Sequence, residues 1–188
     1  MINNVGNVLN PDGYGADRGY VEPDHGQYDV PEYVFAWSGG AVLLAASYLR
    51  DVGLFDEDLF LYYEDLDLAW RGRERGWGYK YVPGSVVRHV HSASTVEGSP
   101  LFDYYNERNR LLTLTRHADR RTTAKALARY LLVTASYTRR DVVSPILRGQ
   151  PPRSRIPLRR LKALAGYAVA LGRRRTPRES VGRASNSG

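Results

Sequence analysis

The stretch Phe55–Arg73, FDEDLFLYYEDLDLAWRGR, decides how the rest of the chain is read. At its centre, Tyr63-Glu64-Asp65-Leu66-Asp67 places three carboxylates where an apolar segment turns into a helix. Leu66, Ala69, Trp70 and Arg73 fall at helical spacing, so a helix is predicted over Tyr63–Arg75 with Gly76 as its stop. Glu64, Asp65 and Asp67 then lie in its first turn, where the helix dipole favours negative charge. Downstream, Tyr79–Val82 and Ser85–His91 read as strands around a Pro83-Gly84 turn, and the second ends in His89 and His91. Carboxylates followed by a histidine-bearing strand can serve proton abstraction and metal binding. They can equally be a capped helix beside an ordinary strand. Both readings stand on the residues alone.

Upstream, residues 1–32 are rich in Gly, Asn, Asp and Pro and read as turns and loops with at most one short strand. Tyr33–Trp37 reads as a strand that ends in Ser38-Gly39-Gly40, where glycines permit a tight turn or a close backbone approach to a ligand. Ala41–Val52 suits a strand entering a short helix, stopped by Gly53. Helices are predicted over 101–116 and 122–138, the second with Thr122 and Thr123 as candidate caps. Pro145, Pro151, Pro152 and Pro157 mark a linker. Leu158–Leu171 then forms a basic amphipathic helix with Leu158, Leu161, Ala165 and Ala168 or Val169 as its apolar side. The Arg-, Ser- and Gly-rich end reads as disordered.

The 188 residues are enough for one domain with a core, or for part of a larger one. There is no cysteine, which excludes disulfides and thiolate metal sites. Charge is divided unevenly. Residues 1–100 carry 7 basic and 15 acidic side chains, whereas residues 101–188 carry 20 basic and 5 acidic. Basicity therefore belongs to the C-terminal part, and the acidic front argues against a nucleic-acid binder. Met1-Ile2-Asn3-Asn4 does not read as a signal peptide, and no apolar run approaches the ~18–20 residues needed to span a bilayer. The expected location is cytoplasmic, with the 148–178 segment as a peripheral contact to the inner face of the plasma membrane.

Several familiar sites are absent. The sixth position counted from Asp56 is not glycine, so no EF-hand loop is present. No P-loop or dinucleotide fingerprint occurs, and Trp37-Ser38-Gly39-Gly40 lacks the first glycine of a nucleophile elbow.

The order of motifs is more informative than any one of them. Trp-Ser-Gly-Gly-Ala-Val (37–42), Val-Gly-Leu-Phe-Asp-Glu (52–57), Leu-Tyr-Tyr-Glu-Asp-Leu-Asp-Leu (61–68), Arg71, Gly76, Tyr81-Val82-Pro83 and His89 follow in succession. This closely resembles the second half of family-two glycosyltransferases, the rhamnosyltransferase-like inverting enzymes of the GT-A fold, and Arg108-Asn109-Arg110-Leu111 resembles the Arg-Asn motif that follows there. The resemblance covers roughly residues 3 to 115. It implies an α/β fold, a partial GT-A domain lacking its N-terminal nucleotide-binding half and followed by C-terminal helices. Residues 1–100 would form the acceptor and catalytic half, 101–143 helices packed on it, and 144–188 a linker, basic helix and tail.

By the same resemblance Asp65 is the general base that deprotonates the acceptor hydroxyl, and Glu64 and Asp67 position the acceptor. Trp37, Gly39 and Gly40 line the acceptor and donor-sugar pocket, and His89 helps hold a divalent metal, Mg2+ or Mn2+. The implied partners are a nucleotide-diphospho-sugar donor and a glycan or lipid-linked acceptor. Asp56-Glu57-Asp58 and Asp65-Leu66-Asp67 both spell Asp-x-Asp, but the first aligns with the family's Phe-Asp-Glu segment and the second with its Glu-Asp motif. The preceding metal motif is therefore unmatched, and the chain alone is expected to be inactive and to bind nucleotide sugar weakly or not at all. The expected function is sugar transfer in cell-surface glycan synthesis. The alternative is a non-catalytic glycan- or partner-binding module derived from such an enzyme.

Overall fold

The computed structural model of the chain describes residues 1–88 and 98–173, and mixes helices with two short sheets. The front begins with an antiparallel hairpin of β1 (Asn7–Leu9) and β2 (Gly15–Asp17), in register Asn7 to Asp17 and Leu9 to Gly15. Its loop closes through the Asn10 and Gly13 amides, and Gly13 takes a left-handed φ of 82° that a side chain would resist. The hairpin was not visible in the turn-rich composition of residues 1–32. Long-range bonds secure it: the backbones of Asn7 and Ala36 pair, and the Asn7 side-chain amide donates to the Trp37 carbonyl at 3.1 Å.

The second sheet pairs β3 (Glu32–Val34) with β4 (Tyr79–Tyr81), again antiparallel. Between them the chain forms α1 (Ala46–Val52) and α2 (Glu64–Glu74). The strand expected to open the Ala41–Val52 segment is absent, and α1 begins only at Ala46. Nor is there a strand over 85–88: Val86 and Val87 are exposed and pair with no strand among the described residues. The remainder of the predicted Ser85–His91 strand, His89 and His91 included, lies outside the described residues.

Four further helices follow: α3 (Pro100–His117), α4 (Arg120–Thr138), α5 (Ser144–Leu147) and α6 (Arg155–Gly172). A single π-helical turn, Arg139–Val143, joins α4 to α5. The cap of α4 is Asp119 rather than Thr122 or Thr123. Its carboxylate accepts the Arg121 and Thr122 amides at 2.9 Å, satisfying donors that a helix start leaves unpaired.

Two cores result. One gathers Val34, Ala36, Trp37, Tyr48, Tyr63, Leu66, Leu68 and Tyr79 around α2. The other joins Leu59 to Leu111, Leu112 and Leu114 of α3, Tyr130 of α4 and Tyr167 of α6. Leu9 of the hairpin packs on both. The helix read as an amphipathic appendage is thus packed against α3, but with the opposite face inward. Ala163, Tyr167 and Ala170 are buried while Leu158, Leu161 and Val169 face solvent. Close packing decides this. The Gly166 side of α6 lies against the Tyr104 ring, and the Tyr167 hydroxyl meets Thr115 Oγ1 at 2.8 Å. Tyr130 Oη also donates to the Arg160 carbonyl at 2.8 Å.

Candidate functional site

The segment before α2 is held in an unusual backbone conformation. Phe60, Tyr62 and Tyr63 have φ of 56°, 63° and 68°, the left-handed region that bulky side chains avoid. Each such residue costs on the order of 1–3 kcal/mol, so the surroundings must impose it. Asn109 does so. Fully buried on α3, it shares its two amide N–H groups among the carbonyls of Leu59, Leu61 and Tyr62, each 2.7–2.8 Å from Nδ2. Its own oxygen accepts from Arg108 at 2.6 Å, and the same guanidinium nitrogen donates to the Asp58 carbonyl at 2.8 Å. The Tyr63 hydroxyl accepts the Gly15 amide at 3.0 Å, tying the hairpin to the same place. Arg108-Asn109 is therefore the clamp that fixes where α2 begins.

That placement brings Asp65 to the Ser38-Gly39-Gly40 turn. The Gly39 N–H donates to Asp65 Oδ2 at 2.9 Å, and the Leu66 N–H donates to Oδ1 at 2.7 Å. Burial pushes the Asp65 carboxyl above its ordinary range, and these two amides only partly offset the effect. A side chain at Gly39 would sit against the Asp65 carboxylate, at 3.6 Å. Gly40 is exposed beside it, its amide bonded to Ser38 Oγ at 3.3 Å. Trp37, by contrast, is a core residue, packed edge to face against Phe55 and Tyr79.

Glu64 is partly buried, and its Oε2 has no hydrogen-bond partner among the described residues. Burial first, and the Asp65 charge second, raise its carboxyl to about 7. It is thus a carboxyl that holds its proton near neutrality, next to one with two amide donors.

Asp67 is placed differently. It has no exposed surface, and its carboxylate is ringed by Arg71 Nε at 2.9 Å, His117 Nε2 at 2.9 Å and Arg116 at 3.3 Å. Burial alone would raise its carboxyl, but the His117 hydrogen bond and the Arg71 charge outweigh that and lower it. Arg71 continues to the carbonyls of Val52 and Leu54, Arg116 to Asp56, and His117 to Glu74. The acceptor-positioning role expected of Asp67 has no exposed atom to act through. The geometry makes it the post that joins α2, α3 and the 52–56 segment.

Residue spacing could have suggested Arg71, which stands one helical turn beyond Asp67. It carried no signal for Arg116 and His117, which come from a different helix. No group of three or more His, Asp or Glu side chains among the described residues is arranged to hold a metal ion. His89 lies outside them. A cavity of about 420 Å3 opens between the 57–60 loop, α3 and α6, lined in part by Phe60, Tyr104, Tyr105 and Arg108. None of the expected site residues lines it.

Comparison with known proteins gives a partial likeness. A segment of 58 residues is 43% identical to N-acetylglucosaminyl-diphospho-decaprenol L-rhamnosyltransferase of Mycobacterium tuberculosis, in each of two strains. The match covers 31% of this chain and 19% of the relative's length. No family model matches the chain, and no solved structure does. The likeness supports a glycosyltransferase kind for this protein and reaches no further than that segment.

Proposed function

We propose that the chain forms the acceptor side of an inverting glycosyltransferase, a family-two enzyme of GT-A fold acting in cell-surface glycan synthesis. Asp65 is its general base. The observation that supports this best is the bond between Asp65 and Gly39, residues 26 positions apart in the sequence. It joins the Trp-Ser-Gly-Gly and Glu-Asp motifs into one place, at a backbone strained to keep it there. Because the relative is named an L-rhamnosyltransferase of N-acetylglucosaminyl-diphospho-decaprenol, the proposed acceptor is a lipid-linked sugar. The proposed donor is a nucleotide-diphospho-sugar.

The chemistry follows from the residues. An alcohol is a weak nucleophile until its proton is removed, and Asp65, with a carboxyl raised by burial, takes that proton. The acceptor oxygen then forms a bond to the anomeric carbon as the bond to the diphosphate breaks. The electron pair leaves with the diphosphate, and attack from the opposite face inverts the centre. Glu64, neutral below about 7, can donate a hydrogen bond to an acceptor hydroxyl without adding charge beside the base. A divalent ion, Mg2+ or Mn2+, would neutralise the leaving diphosphate when bound, with His89 as the residue implied to help hold it.

The test is transfer of labelled sugar to a polyprenyl-diphosphate-linked acceptor by the protein as its cell produces it. Asp65→Asn is expected to lower kcat by about 10²–10⁴ while thermal unfolding shifts little. A variant within threefold of the natural protein would remove Asp65 from the role of base. Unaltered glycan binding with no transfer by either protein would favour the binding-module alternative.

A further inference from the structure

The outward side of α6 points to a second function, separate from sugar transfer. At helical spacing Leu158, Leu161, Ala165, Ala168 and Val169 share one side of this helix. All five are exposed, with Leu158 at 52%, Leu161 at 48% and Val169 at 59%. The opposite side is already occupied by α3 and α4, so the stripe is not the helix's packing surface. From Leu158 to Val169 the stripe runs along about 17 Å of this 18-residue helix.

Along the stretch of sequence that carries the stripe the charge has one sign. Between Arg148 and Arg178 there are ten basic residues and no acidic one. Arg159, Arg160 and Arg173 are paired with Asp103, Glu107 and Asp58. Arg148, Arg155 and Lys162 are exposed and make no ion pair among the described residues, whereas the Arg153 charge faces Asp141. No described helix is long and apolar enough to cross a membrane.

We infer that α6 docks its Leu158–Val169 side on an anionic lipid bilayer, lying in the headgroup plane with Arg155 and Lys162 reaching lipid phosphates. An apolar stripe bordered by cations is the pattern that such a surface binds. A second copy of this chain fits the stripe poorly, because pairing two such sides would oppose two sets of unpaired cations.

The experiment is co-sedimentation of the natural protein with phosphatidylcholine vesicles, with and without phosphatidylglycerol, over a salt series. Binding to the anionic vesicles alone, weakening with salt, is expected. Leu158→Ser/Leu161→Ser/Val169→Ser should lower the partition coefficient roughly tenfold or more. Arg155→Gln/Lys162→Gln, which leaves every apolar group in place, should lower it roughly tenfold as well. This second variant decides the matter should the triple variant unfold. Partitioning unchanged by the charge variant, or absent from anionic vesicles at physiological salt, overturns the inference. So does sedimentation velocity showing a dimer that Leu161→Ser dissociates while vesicle binding persists. Neither donor nor acceptor enters the measurement, so it can fail without touching the transferase reading.

Discussion

Helices α2 and α6 both pack against α3, yet they bury opposite kinds of side chain. In the first turn of α2 a carboxylate, Asp67, is sealed from solvent among apolar Leu66, Leu68 and Ala69. In α6 the leucines at 158 and 161 stand outside while alanines and a tyrosine go in. The reason lies in what α3 offers each neighbour. To α2 it presents Arg116 and His117, two donors that make a buried carboxylate tolerable. To α6 it presents Tyr104, Thr115 and the carboxylates of Asp103 and Glu107. A glycine, a tyrosine hydroxyl and two arginines match those better than leucine would. Which face a helix buries is thus a property of the pair, not of the helix.

The largest way to break this comparison is to remove the charge that α2 buries. Asp67→Asn keeps the shape but leaves Arg71 and Arg116 facing a neutral amide in a dry site. Breaking a buried ion pair from one side costs about 3–5 kcal/mol. Urea unfolding should show that loss as a lower midpoint with an unchanged slope. A loss under about 1 kcal/mol would mean that the arginines find water or other carboxylates, and that Asp67 is not the post described.

The glycines of the two helices sharpen the comparison at smaller scale. A side chain at Gly72 of α2 would run into Tyr79 Oη and the Tyr48 ring, both in the core. Those hydroxyls are also fixed, Tyr48 donating to the Leu68 carbonyl and Tyr79 to the Ala69 carbonyl, each at 2.7 Å. Gly72→Ala should therefore destabilise by about 1–3 kcal/mol, despite the better helix propensity of alanine. Gly166→Ala in α6 meets the Tyr104 ring, which is only partly buried and can swing outward. Its expected cost is about 1 kcal/mol or less. Calorimetric melting of both variants would test the ranking, and equal shifts would erase the distinction between the two contacts.

The helices themselves were legible in the sequence. The predicted Tyr63–Arg75 became Glu64–Glu74, and 101–116 became Pro100–His117, because apolar period and glycine stops are local signals. Three things were not legible. The hairpin at residues 7–17 has strands of three residues and depends on Asn7 reaching Ala36 and Trp37. The amphipathic pattern of α6 marked a stripe but not which side the neighbours would fill. At the site, Glu64 and Asp65 were visible as a pair, and Gly39 as a backbone suited to close approach. Their different environments come from long-range contacts, namely the Gly39 amide and the Asn109 clamp. Asp67 reads in sequence like its two neighbours and differs from them only because Arg116 and His117 arrive from elsewhere.

The smallest effect separates Glu64 from Asp67 by pH. The Glu64 carboxyl is raised from 4.5 to about 7 in the folded chain, so the folded state holds a proton that the unfolded state releases. Stability from this group is therefore present below about 4.5, falls as pH rises to about 7, and is flat beyond. Asp67 has the reverse sign. Its carboxyl is lowered, so its contribution is present above its ordinary 3.8 and disappears as acid protonates it below that. Glu64→Gln keeps a neutral side chain at every pH and should lessen the decline between about pH 4.5 and 7, the part due to the raised Asp65 carboxyl remaining, and leave the acid limb intact. Unfolding midpoints of the two proteins across pH 3 to 8 would show it as curves that converge at low pH and separate towards neutrality. If they run parallel throughout, Glu64 titrates normally and is ionised beside Asp65, and the neutral hydrogen-bond donor proposed for the acceptor is lost.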